Sequence, residues 1–299
     1  MKNITVVILT FHTPENIILD CLNSINKDNN VLIVENSNEF LHKEKILSNF
    51  NNVKILCTGK NLGYGAGNNF GINAVETDYV LILNPDVICA ENFFENIEKV
   101  IDEDKNFSII GCQYSHDKVF MPAGFFDTKK NDQFVKDFRN NESNNLIKVD
   151  WVTGCSMLLN LKKFSNKKIF DEKFFLYFEE FDLCKSLKNK GDKVYSSSKL
   201  KIHHLGFKSS FDENSEYKKS INRLREWHWM WSSFYFYKKN YNYFYALRKL
   251  LGKLLRSIFK IIFFSILFNQ NEKERYKYRF LGLFNSILNK PSTFRDNVD

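Results

Sequence analysis

Along the first two thirds of this chain, short apolar runs alternate with longer segments whose apolar positions recur every three or four residues. Short runs rich in β-branched residues suit strands, and the three-to-four spacing suits helices. The pattern predicts strands over Thr5–Thr10, Val31–Glu35, Val53–Cys57, Tyr79–Leu83 and Phe107–Tyr114. It predicts helices over Glu15–Ile25, Phe40–Phe50, near Ala66–Val75 and over Glu91–Asp102. Further on, Val149–Leu161 reads as a strand or strand pair, Phe181–Asn189 as a helix, and Tyr195 with Lys199–His203 as a last strand. Such alternation builds an α/β fold: a mixed, mostly parallel sheet flanked by helices. Residues 115–148 are polar and are expected to form a variable excursion over the site. From about Glu216 the period is helical throughout, which divides the chain into a body, 1–215, and a helical extension, 216–299.

Charge sharpens that division. Residues 216–299 hold 17 Lys/Arg and 6 Asp/Glu, a net of +11, while residues 1–215 hold 26 and 29, a net of −3. A basic tail on a mildly acidic body implies an acidic partner for the tail, either nucleic acid or an anionic membrane surface. Tyr243–Phe268 mixes Leu, Ile and Phe with Arg248, Lys249, Lys253, Arg256 and Lys260, and its longest uncharged run is Ile261–Gln270. That run is too short to span a bilayer, so a basic amphipathic helix with aromatic anchors is expected to lie in the interface plane; Ile221–Tyr245 before it holds Trp227, Trp229 and Trp231. A helical subdomain packed on the body is the other reading. The 6 cysteines form no C-x-x-C pair, a pattern of free thiols in a reducing cytoplasm. Residues Ile4–Thr10 follow Lys2 without a small-residue cleavage site and read as a strand, not a signal peptide.

Four stretches carry candidate chemistry. YVLILNPD places Asp86 just past the carboxyl end of a strand, the edge at which open α/β sheets bind ligands. A hard oxygen there suits Mg²⁺ or Mn²⁺ carrying a phosphate, although N-P-D is also an ordinary turn. VLIVENS ends a strand on Glu35, Asn36 and Ser37, suited to hydrogen-bonding a base or ribose. NLGYGAGNNFG offers Gly63, Gly65 and Gly67 near a helix start, a cradle for phosphate that lacks the Lys of a P-loop. FDEKFFLYFEEFDLC sets Glu179, Glu180 and Asp182 behind an aromatic run, where desolvation raises a carboxyl pKa and favours a proton acceptor near neutrality. An acidic helix N-terminus is the competing reading. Downstream, His203 and His204 precede Leu205, Gly206 and Ser209 at a strand end.

Taken in order, VVILTFHTPE, VLIVENS, NLGYGAGNNFGI, YVLILNPDV, WVTGCSMLL, FDEKFFLYFEEFDLCKSLKNKG and HHLGFKSS resemble the bacterial family-2 inverting glycosyltransferases, rhamnosyltransferase-like branch, over about residues 4–210. The resemblance implies a GT-A fold, a Rossmann-like nucleotide-diphospho-sugar transferase architecture. It implies nucleotide-sugar contacts at Thr10, Phe11, Glu35, Asn61, Gly63, Asn68, Asn84, Asp86, Trp151 and Gly154. Asn68 and Asn69 would position the donor, and WVTGCSMLL would shape a sugar or acceptor pocket or serve as core strand. Asp86 would hold a metal–diphosphate, with Mg²⁺ or Mn²⁺ as cofactor and His204 nearby. One acid of the pair, Glu180 with Glu179 as rival, would be the base. Asn84 stands where the family's D-x-D motif has its first carboxylate, and the Q-x-x-R-W motif of processive synthases is absent. Single-sugar transfer from a donor such as dTDP-rhamnose or a UDP-hexose to a glycan or lipid-linked acceptor is therefore expected, in cell-surface polysaccharide synthesis. The expected location is cytoplasmic, peripheral on the inner face of the cell membrane. A basic-tailed nucleic-acid-binding protein or a non-catalytic partner is the alternative.

Overall fold

The computed structural model describes residues 3–114, 122–131, 133, 146–206 and 216–296. Most of the polar excursion, and Ser209 of HHLGFKSS, lie outside the described residues. Two compact units divide the chain. One draws on Met1–Lys60, Gly67–Phe170 and Leu183–Phe211; the other on Asn61–Ala66, Asp171–Asp182 and Asp212–Asp299.

The first unit is a sheet with helices on both faces. Its strands are β1 (Ile4–Thr10), β2 (Asn30–Glu35), β3 (Val53–Cys57), β4 (Tyr79–Leu83), β5 (Val87–Cys89), β6 (Ile109–Tyr114), β7 (Ala123–Gly124), β8 (Leu146–Lys148), β9 (Trp151–Val152), β10 (Ser156–Asn160) and β11 (Val194–His204). The main sheet runs β3-β2-β1-β4-β10-β6-β11-β5, with β8 also paired to β11, and β7 pairs with β9 apart from it. Strands β3, β2, β1 and β4 are mutually parallel, while β10 is antiparallel to both neighbours.

The apolar runs fill both faces of this sheet, as buried parallel strands require. Val6, Ile8, Ile33, Leu81 and Leu83 enter one core with Ile18 and Leu22 of α1 (Glu15–Asn23), Ile46 of α2 (Lys43–Asn49) and Ile97 of α4 (Phe93–Glu103). Val7, Leu32, Val34, Val80 and Ile82 point the other way, toward Ile72 of α3 (Tyr64–Asn73) and Leu183 and Leu187 of α5 (Glu179–Lys190). Helix α3 comes close to the sheet because Gly67 and Gly71 carry no side chain there. A Cβ on Gly71 would lie 2.7 Å from Val34, and one on Gly67 would lie 2.6 Å from Leu9.

The second unit is built on α6 (Glu216–Asn240), α7 (Tyr243–Ile266) and α8 (Gln270–Ile287). Met230, Phe234, Ala246, Leu250 and Leu283 form its core. The unbroken helical period hid two stops. Asn242 and Asn269 cap α7 and α8 by accepting the backbone N–H of Tyr245 and Glu272. Trp227 and Trp231 are buried within this unit, and the Trp231 indole donates to the Lys290 carbonyl at 2.9 Å. Only Trp229 of the three keeps substantial exposure.

All six cysteines are free; Cys57 at the end of β3 is exposed and the other five are buried. Burial pushes the Cys21, Cys89 and Cys112 thiols up, far from ionisation.

Candidate active site

In the first unit, Thr10, Glu35 and Cys57 stand in register at the carboxyl ends of β1, β2 and β3. The Glu35 carboxylate is 1% exposed. It accepts the Thr10 hydroxyl at 2.6 Å and the His12 backbone N–H at 3.2 Å. Its oxygens thus tie β2 to the turn after β1, which carries Phe11 and puts His12 at φ 47°. Sequence reasoning did not single out His12, because nothing in a lone histidine announces a left-handed backbone.

Asp86 follows β4 and is 1% exposed. Its backbone carbonyl accepts the Leu205 N–H at 2.9 Å, and β5 pairs antiparallel with the end of β11, Val87 opposite His204. This pairing brings His204 Nε2 to 3.3 Å from Asp86 Oδ1, which is buried without a hydrogen bond. The three-residue strand β5 is too short to read from sequence, yet it joins these two side chains across 118 positions. Asn84 donates its backbone N–H to the Cys155 carbonyl at 2.9 Å, so the turn containing Gly154 is fixed to the N-P-D loop. Trp151 lies on β9 against Gly124. Asn68 is buried on α3. Asn69 is committed to the fold: its amide donates to the Phe170 carbonyl and accepts the N–H groups of Ile169 and Phe170 at 2.9–3.0 Å.

In the second unit, the aromatic run before the acids packs on α6. Phe174 meets Tyr235 edge-on, and Phe178 touches Trp229 and Phe236. The Ser232 hydroxyl donates to the Leu176 carbonyl at 2.8 Å. Arg295 stacks 3.6 Å from the Phe175 ring centroid. Gly63, at φ 86°, sits where a Cβ would lie 2.2 Å from the Phe175 carbonyl oxygen. Its N–H bonds the Asn61 side chain and the next N–H, of Tyr64, bonds the Phe175 carbonyl. These two N–H groups of the glycine loop therefore serve the fold.

Tyr177 and Phe178 both adopt positive φ, 71° and 72°. Two bulky aromatics in the left-handed region cost of order 1–3 kcal/mol each and persist only where packing over-determines them. They turn the chain sharply into α5, which opens on Glu179 and Glu180. Burial and the adjacent Glu180 raise the Glu179 carboxyl well above its ordinary range, and its Oε1 has no hydrogen bond. Burial pushes Glu180 up to about 7, opposed by the backbone N–H groups of Glu180 and Phe181. Asp182 is held differently: Lys239 donates to it at 2.6 Å and Asn240 at 2.8 Å, and Lys239 also pairs with Asp171 at 2.7 Å. Both readings of the acidic cluster hold together, as a helix N-terminus and as carboxyls poised by desolvation.

Among the described residues no group of three His, Cys, Asp or Glu side chains gathers to hold a metal ion. Asp86 and His204 supply one carboxylate oxygen and one imidazole nitrogen. The buried Asp86 Oδ1, which takes no hydrogen bond and has His204 Nε2 at 3.3 Å, fits a cation whose remaining ligands are phosphate oxygens and water, the manner in which Mg²⁺ and Mn²⁺ bind nucleotides.

A sequence model described as glycosyl transferase family 2 matches residues 5–175. The low-salt glycan biosynthesis hexosyltransferase Agl10 of Haloferax volcanii is 23% identical over 253 residues, spanning 75% of this chain and 80% of that protein. The rhamnosyltransferase WbbL of Escherichia coli K12 is 24% identical over 208 residues, 63% of this chain and 78% of that one. Among solved structures, GalNAc-T7 with UDP, GalNAc and Mn²⁺ superposes with a TM-score of 0.54 at 13% identity, over 79% of this chain and 50% of that one. S. aureus TarS in complex with UDP-GlcNAc gives a TM-score of 0.51 at 13% identity, over 97% and 93%. At such identity these neighbours establish the shared fold, the GT-A fold. None of these likenesses favours a nucleic-acid-binding or non-catalytic role.

Proposed function

The chain belongs to glycosyl transferase family 2, and from that premise we propose that it moves one sugar from a nucleotide-sugar donor to a glycan or lipid-linked acceptor, with inversion. The observation that carries this reading is the pairing of Asp86 with His204 at the carboxyl edge of the sheet. The UDP complexes of the structural neighbours support a nucleoside diphosphate as the leaving group.

Each role follows from the surroundings of the residue. The Thr10–Glu35 bond and the His12 N–H hold the turn after β1 rigid, giving the nucleotide a preformed edge. Phe11 on that turn and Asn84 beside Asp86 complete the donor-facing set on this unit. Asp86 and His204 would hold a divalent cation, which when bound neutralises charge developing on the departing diphosphate; the Mn²⁺ of GalNAc-T7 supports this choice. Glu180 accepts the proton of the attacking acceptor hydroxyl, since a carboxyl near 7 is half ionised at neutral pH and still basic enough to work. Glu179, whose carboxyl is also raised by burial and by the adjacent Glu180, is the second acid of the pair. Inversion then follows from a single displacement at the anomeric carbon. Rhamnose donors gain support from the likeness to the rhamnosyltransferase WbbL and hexose donors from the hexosyltransferase Agl10, whose name also supports a role in glycan biosynthesis.

The test is a panel of nucleotide sugars, with donor binding measured by calorimetry in Mn²⁺ and transfer by product analysis. Asp86→Ala should abolish the metal-dependent part of donor binding. Glu180→Gln should bind donor normally while turnover drops about 10²–10⁴-fold. Parental turnover in both variants would overturn the assignment.

A further inference from the structure

Helix α7 presents three different sides. Ala246, Leu250 and Ser257 are buried, the first two in the core that this unit forms with Met230, Phe234 and Leu283. Away from them Phe244, Leu251, Leu255, Phe259, Ile262 and Ile266 are exposed, Phe244 by 80%. At about 100° per residue, these six positions share one band about a quarter to a third of the circumference wide. Phe268, just past the helix end, is 94% exposed. Lys249, Lys253, Arg256 and Lys260 lie along one flank of this band and Arg248 falls within it, and no Asp or Glu occurs between Tyr243 and Asn271.

We infer that this face of α7 is a docking surface for an anionic lipid bilayer, with the helix lying in the plane of the interface. Two features on one helix point to that partner. The apolar band needs a partner that removes Leu, Ile and Phe side chains from water. The cationic edge beside it needs a partner of opposite charge at fixed depth. An anionic bilayer meets both at once: the band enters the acyl boundary while Lys and Arg reach the phosphates of the headgroups. A polynucleotide would answer the cations and leave the aliphatic side chains wet. A second copy of the chain would cover the band and bring the same uncompensated cations with it. No helix among the described residues is long and apolar enough to cross a membrane, which leaves the in-plane position. The inference stands apart from the transfer chemistry, because it concerns binding alone.

Flotation of the full chain with phosphatidylcholine vesicles, with and without phosphatidylglycerol, tests it. The protein should float with the anionic vesicles, weakly with the neutral ones, and less as salt rises. The triple variant Leu255→Glu, Phe259→Glu, Ile262→Glu should lose flotation while keeping the parental circular dichroism, because those side chains are exposed. Should that variant fold poorly, Lys249→Glu with Arg256→Glu serves instead, with at least about a tenfold loss of vesicle partition expected. Parental protein that stays with neither vesicle type, or variants that float as it does, would overturn the inference. So would sedimentation showing a dimer that the triple variant dissolves, which would assign the band to a second copy, or a salt-sensitive gel shift of nucleic acid without flotation.

Discussion

In the proposed mechanism Glu180 concentrates the chemistry in one titration. Burial sets its carboxyl at about 7, against 4.5 for the free group. Below that pH the group carries a proton and cannot take another, so turnover at saturating substrate should fall about tenfold per pH unit and level off above about 7. The stability consequence has the opposite slope. Between about 4.5 and 7 the folded chain keeps a proton that the unfolded chain has released, so this group's contribution to stability falls as pH rises through that window. Glu180→Gln should flatten both curves, one read by a pH–rate profile and the other by thermal midpoints at pH 5 and 8. Gly63 gives a purely structural contrast. An alanine there meets the Phe175 carbonyl oxygen and must hold φ 86°, so Gly63→Ala should cost about 1–3 kcal/mol by denaturant titration.

Helix α5 starts where it does because α6 holds its first turn. Lys239 lies between Asp171 and Asp182, and Asn240 bonds Asp182 as well. Lys239→Met leaves two carboxylates facing each other without their cation. With both partly screened by solvent, about 1–2 kcal/mol of stability should be lost, together with a fall in kcat larger than any change in donor affinity. These ties were invisible in the sequence, since they join positions 57, 58 and 68 residues apart through side chains that elsewhere are solvated. The parallel strands were legible for the opposite reason: runs such as VVIL and VLIL are buried on both faces and have no other stable use. Strand ends therefore located Glu35 and Asp86 directly. The turn of Tyr177 and Phe178 into the left-handed region was not legible, because aromatic side chains are poor predictors of that backbone. Nor were the stops at Asn242 and Asn269, where a single capping residue interrupts an otherwise continuous helical period.

Across the chain, charge asymmetry marked the basic segment, but sequence spacing did not reveal that Asp171–Asp182 belongs to the same compact unit as the helices after 212. A chain cut at residue 215 loses Tyr235, Lys239 and Asn240, and with them the partners of Asp171 and Asp182. Such a truncation should be inactive even on a soluble acceptor, whereas the α7 surface variants should retain transfer to one; a coupled nucleotide-release assay separates the two. Composition recorded the thiols as free but could not rank them. The ranking has a practical outcome. With five sulfhydryls enclosed and Cys57 open, a maleimide fluorophore should attach at one address in the native protein, and Cys57→Ser should remain dark. That address sits opposite Glu35 on the neighbouring strand, at the edge where the proposed mechanism seats the nucleotide, so on that proposal the dye's emission should report nucleotide arrival.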